Sequence, residues 1–151
     1  MARRETSVGK ARRTGQGATL MPVALGGALG ACTRYLLGLT MIWLWPQGTL
    51  AAGLPAGTFA ANVIGSFVIG FVAASMIRDG RLGATPARRQ FLIAGFCGGF
   101  TTFSIFSLEL LHLIETGAFV MAGAYLGASL ACWLLAVALG AWLGRAIASR
   151  F

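Results

Sequence analysis

The stretch GGFTTFSIFSLE, Gly98 to Glu109, sets a tandem glycine, four hydroxyls and a carboxylate inside a long apolar run. Glycine weakens a helix through backbone entropy, and Ser and Thr side chains compete for its hydrogen bonds. A helix passing through this stretch is therefore expected to break. Unwound backbone at bilayer depth is tolerated only where it is buried in protein or lines a wet cavity. Such a break presents carbonyls to something that takes oxygen ligands, such as a cation.

The surroundings place this break in a membrane. The 151 residues are 57% hydrophobic and 11% charged, with a mean hydropathy of +0.78, outside the range of soluble domains. Four apolar segments, about 21–45, 53–77, 90–114 and 117–147, each reach the roughly 20 residues needed to cross a bilayer. Runs this long exclude the ten-residue alternation of a membrane barrel. Their short connections predict an all-α four-helix bundle over residues 21–151, with no soluble domain. Residues 1–20, basic and without apolar periodicity, read as a disordered cytoplasmic tail. LGAC, Leu29 to Cys32, resembles a lipoprotein cleavage box, but apolar sequence continues past it into a full span. Cys32, Cys97 and Cys132 are odd in number and sit within spans, which indicates neither a disulfide framework nor a zinc site; they read as small packing residues.

The net charge of +8 reports orientation rather than nucleic-acid binding, because no soluble fold is available to carry a basic patch. Eleven of the twelve Lys and Arg residues fall on one side of a four-span topology: Arg3, Arg4, Lys10, Arg12 and Arg13 before the first span, Arg78, Arg81, Arg88 and Arg89 around the second loop, and Arg145 and Arg150 at the end. The opposite loops have none. Both termini are therefore expected in the cytoplasm; the plasma membrane, as the cytoplasmic membrane of a bacterium, is the expected location on the resemblance given below.

The twelfth, Arg34, lies within a span, where lipid exposure would cost roughly 2.5–3.5 kcal/mol. It either pairs with backbone carbonyls or places positive potential near an anion path. Asn62 is the amide of the second span; it ties helices together or points at a pore. Glu109 is the carboxylate within a span, and His112, three residues on, can share its face. Phe103 and Phe106 lie on one helical face beside a strip of Ser104 and Ser107. Aromatic edges carry partial positive charge, so this lining suits a small hydrated anion. The competing reading is a packed aromatic stripe with hydroxyls bonded to the preceding turn. Glycine pairs four apart, Gly26/Gly30, Gly53/Gly57, Gly95/Gly99, Gly123/Gly127 and Gly140/Gly144, predict close helix contacts.

GGALGACTRY, GTFAANVIGSF and GFCGGFTTFSIFSLE, in this order and spacing, resemble the motifs of the Fluc (CrcB) family of small fluoride channels, over everything after the basic tail. The resemblance implies an antiparallel dimer of four-helix subunits with two fluoride pores lined by both copies. It implies Phe103 and Phe106 as the pore phenylalanines, Asn62 as the pore asparagine and Arg34 as the first-helix arginine. The break, placed at Gly98 through Thr101, would hold a structural sodium ion by backbone carbonyls of both copies, with Gly98 and Thr101 as donors. Tyr125 and Ser129, four apart in the fourth span, fit the family's polar track together with Ser104.

Three departures stand out. Trp133 occupies the next position of the track, Ile105 replaces a hydroxyl common between the phenylalanines, and the one-sided charge predicts a fixed orientation. Either an oppositely inserted homologue is then its antiparallel partner, or the basic tail is a weaker orientation signal than the count implies and the chain pairs with itself. The expected function is passive export of fluoride, with no enzymatic chemistry: no nucleophile, base and orienting group can be assembled here. The alternative is a proton-coupled small multidrug exporter, which needs a carboxylate in the first span, where this chain has Arg34.

Overall fold

The computed structural model describes residues 2–45, 55–78 and 85–149, with side chains for 20–45, 55–76 and 85–149. Arg81, Gly53, Arg150 and the connections 46–54 and 79–84 lie outside the described residues. Four helical segments are long and apolar enough to cross a membrane: Leu20–Leu44, Ala56–Met76, Pro86–Glu115 and Phe119–Ala148. They match the four spans expected from hydropathy. The first belongs to a helix that runs Ala2–Leu44 with Pro22 inside it. Its backbone is helical from Ala2 onward, and Ala, Arg, Lys and Glu in that stretch are good helix formers.

Backbone-to-backbone approach at glycines organises the spans into two pairs. In the first, Gly26 and Gly30 face the backbone of Phe91, Gly95 and Phe96 in the third span, and Gly99 faces the Gly27 carbonyl. In the second, Gly70 abuts the Val137 backbone, while Gly140 and Gly144 abut the carbonyls of Phe67 and Phe71. Any side chain at these positions would collide with main chain, the usual physical basis of small-residue motifs between membrane helices. Gly123 and Gly127 behave differently: a Cβ at either would meet nothing within 4 Å. Among the described residues their spacing marks no helix contact.

The fourth span turns one stripe inward: Ala122, Tyr125, Ser129, Ala136, Gly140, Gly144 and Ala148 are buried. Between 11% and 28% of each span's most apolar window is buried, so most apolar side chains face outward. The turn between the last two spans is closed at Gly117, whose φ of +76° suits glycine. The Gly117 N–H donates to the Ile114 carbonyl (3.0 Å) and the Ala118 N–H to that of Leu113 (2.8 Å), the double bond of a Schellman cap.

The third span is interrupted, as expected, but the interruption is displaced. Its first half is helical over residues 86–100, α-helical at Pro86–Arg89 and Gly98–Phe100 and π-helical at Gln90–Cys97. Gly98 is regular helix, with φ −63° and ψ −39°. The extended residues are Thr101 (φ −84°, ψ 158°) and Thr102 (φ −148°, ψ 109°). The placement of the break at Gly98 through Thr101 is thereby corrected to Thr101–Thr102. The glycines are retained for closeness, since Gly99 meets the first span, and the threonines supply the hydrogen bonds that end one helix and start the next.

A candidate ion path at the broken third span

Two residues build the break. Both the Thr101 N–H (3.0 Å) and its hydroxyl (2.9 Å) donate to the Cys97 carbonyl, closing the first half. Thr102 caps the second half, Phe103–Glu115, by accepting at its Oγ1 from the Ile105 N–H at 3.2 Å. Gly65 makes room, since a Cβ there would strike the Thr101 methyl.

Asn62 pins this joint from the second span. Its Nδ2 donates to the Thr102 carbonyl at 3.0 Å, and its Oδ1 accepts from the Thr102 N–H at 2.8 Å. The side chain thus pairs with one residue's main chain as a neighbouring strand would. It is buried, and both faces of its amide are engaged. The geometry gives Asn62 a tie between helices, and Asn62 also lines the groove at the break.

In an unbroken helix the Thr102 N–H would close on the Gly98 carbonyl; Asn62 takes it instead. The next carbonyl, Gly99, accepts from Arg34 Nε at 3.4 Å. Arg34 thereby brings positive charge to a helix C-terminus, the end that favours a cation, and joins the first span to the break. It also borders a recess of about 240 Å³ with Tyr35, Gly38, Thr58, Thr102 and Ile105.

This end of the helix also bears on the sodium ion implied by the resemblance. Gly98 is exposed, a Cβ on it would meet nothing within 4 Å, and the N–H that would cap its carbonyl in an unbroken helix is taken by Asn62. The Thr101 hydroxyl is committed to Cys97, which leaves the carbonyl as its oxygen donor. Among the described residues no cluster of His, Cys, Asp or Glu could hold a metal. Neutral carbonyl oxygens are the donors that suit a hard cation, and Gly98 and Thr101 fit that chemistry.

Beyond the break, Phe106 and Phe103 diverge. Phe106 is 1% exposed and Phe103 is 70% exposed, with ring centroids 5.7 Å apart. Phe106 packs between two rings of the fourth span, Tyr125 (4.9 Å, tilted 57°) and Trp133 (4.9 Å, 70°). Ser129 lies one turn between them and is fully buried. The structure therefore brings Phe106 and Tyr125 together, with Ser129 on the same buried stripe of the fourth span as Tyr125. Ser104 is exposed, with its hydroxyl 3.3 Å from that of Thr102. Ser107 bonds back to the Phe103 carbonyl at 2.8 Å, so the helix uses that hydroxyl itself.

Sequence reasoning left Glu109 without a role, and here it has two partners. It accepts from Thr58 Oγ1 at 2.6 Å and from Tyr125 Oη at 2.7 Å. One carboxylate thus links the second, third and fourth spans below Phe106. Spacing placed Glu109 with His112, whereas tertiary packing paired it with residues 51 and 16 positions away. A groove of about 370 Å³ runs along the break, lined by Asn62, Gly65, Ser66, Thr101, Phe103 and Trp133 among others.

Comparison with known proteins gives this arrangement its context. A protein of Bradyrhizobium diazoefficiens named fluoride-specific ion channel FluC 1 is 43% identical over 129 residues, 85% of this chain and 83% of its own length. One of the same name from Rhodopseudomonas palustris is 46% identical over 128 residues, 85% and 84% of the two chains. The fluoride-specific ion channel FluC of Rhizobium meliloti is 43% identical over 128 residues and is covered to 97%. Residues 21–141 match the sequence profile described as CrcB-like protein, Camphor Resistance (CrcB). The matched segment begins at the first span and holds the break, its Asn62 pin and the Phe106 cluster, and on this match the chain belongs to the CrcB family.

Proposed function

We propose that this chain forms a fluoride-selective channel, through which fluoride leaves the cytoplasm down its electrochemical gradient. The observation that carries the reading is the Thr101–Thr102 break held by Asn62, which sets Phe106 against Tyr125 and Trp133 beside the buried Ser129. Ring edges and hydroxyls replace part of an anion's hydration shell without a full counter-charge that would trap it. The names of the relatives support fluoride as the anion. Phe106, Tyr125 and Ser129 form the buried wall of the path, with Phe103 and Ser104 at its exposed side. Asn62 shapes the path by fixing the break, and Arg34 raises the local positive potential.

The working unit is an antiparallel dimer, and the outward-facing apolar spans supply the surface for it. The Gly98 and Thr101 carbonyls would hold the structural sodium ion, whose positive charge would offset the partial negative charge of the helix end at the break. Both termini are cytoplasmic, and the one-sided charge makes an oppositely inserted homologue the partner. The exporter alternative gains no support, since Leu20–Leu44 carries Arg34 and no acid.

The test is efflux from liposomes loaded with KF or KCl, holding the purified chain alone or with an oppositely inserted homologue, and read with an ion electrode after valinomycin. Rapid fluoride release without chloride release is expected. Folded protein that releases no fluoride in either preparation overturns the reading.

A further inference from the structure

Among the described residues, two buried polar atoms of the fourth span have no protein hydrogen-bond partner: Ser129 Oγ and Trp133 Nε1. Other hydroxyls on these helices satisfy themselves on the preceding turn, as Thr33, Thr40, Ser75, Thr101 and Ser107 do on the carbonyl four residues back. Ser129 does not, although it is 0% exposed. The indole N–H is a donor only, and leaving such a donor buried and unpaired costs about 1–3 kcal/mol.

The two residues are neighbours on one face of the fourth span. Residues four apart on a helix are stacked neighbours, and Trp133 packs its ring on Phe106 at 4.9 Å while bordering the groove at the break. Both atoms are buried within the single chain, so another copy docking from outside does not reach them. What satisfies them is small enough to enter, a water or an anion, and among halides fluoride is the smallest and the strongest acceptor.

We propose that Ser129 and Trp133 form a two-donor site for one desolvated anion beside Phe106, with the Trp133 N–H as the donor that favours fluoride over chloride. The inference rests on the channel reading and adds a specificity-determining residue to it. An aromatic side chain that looks like an interruption of a hydroxyl track instead continues it with a nitrogen donor.

The test titrates fluoride and chloride into ¹⁵N-indole-labelled protein in which the exposed Trp43, Trp45 and Trp142 are replaced by Phe, leaving Trp133 as the single indole of the four. Its N–H resonance is expected to move with NaF and stay with NaCl. In liposomes, Trp133→Phe keeps the ring and removes the donor, and is expected to lower fluoride flux at least tenfold and narrow the preference over chloride. A Trp133 indole that ignores fluoride in protein that conducts it overturns this inference and leaves the channel reading intact. Protein that conducts no fluoride fails the channel reading itself.

Discussion

Phe106 is the side chain on which the path closes, because it touches both aromatic rings of the fourth span. Phe106→Ile keeps an apolar side chain of similar bulk but removes the ring edge, and is expected to cut fluoride flux at least about a hundredfold, near 2.7 kcal/mol of barrier. Liposome efflux measures the flux, and unchanged gel filtration shows that assembly survives; normal flux in this variant would remove Phe106 from the path. Asn62 predicts a different phenotype. Asn62→Ala strips partners from both the N–H and the carbonyl of Thr102, at roughly 1–3 kcal/mol for each group left unsatisfied. Thermal unfolding in detergent should show a large loss of stability, whereas a pore-lining amide with no structural duty would lose flux at unchanged stability. Asn62→Asp retains the acceptor but sets a second oxygen against the Thr102 carbonyl, so it is not expected to rescue.

At the scale of elements, glycine contacts decide which helices pair. Gly140→Leu drives a side chain into the Phe67 carbonyl between the second and fourth spans and is expected to abolish folded protein on gel filtration. Gly123→Ala, in a motif of the same spacing, meets no neighbour and is expected to yield wild-type amounts; equal yields from both would dissolve the distinction. The contrast shows how far the sequence could be read. Hydropathy over about 20 residues is insensitive to tertiary detail, so the four spans were legible with near-correct ends, and the interruption of the third was legible from its glycines and hydroxyls. Its position was not, because a helix end is settled by the partner that captures its N–H, and that partner, Asn62, sits 40 residues away. The bonds of Glu109 to Thr58 and Tyr125 were hidden for the same reason: helical spacing finds neighbours on one helix and is blind to neighbours on another. Phe103 and Phe106 were rightly placed close together, but periodicity gives no account of why one is buried and the other exposed.

At the scale of the whole molecule, the eleven one-sided charges predict a single orientation. With the native cysteines replaced, a cysteine at Ser149 should react with a membrane-impermeant maleimide only in vesicles with the cytoplasmic face outward, and one at Thr116 only in the opposite preparation. Labelling of both sites in both preparations would show dual insertion and remove the need for a homologous partner. The sparse interior of the single chain has a further consequence. With 11–28% of each span's most apolar window buried, little of the lipid-facing surface is withdrawn by folding alone, and lipid and partner compete for the same faces. Association in a bilayer then obeys mole fraction rather than bulk concentration: diluting protein into lipid separates the subunits, and below about two chains per vesicle the occupancy statistics alone leave a growing share of vesicles without a complete channel. The fraction of silent liposomes, plotted against the protein-to-lipid ratio, therefore counts how many chains make one conducting unit.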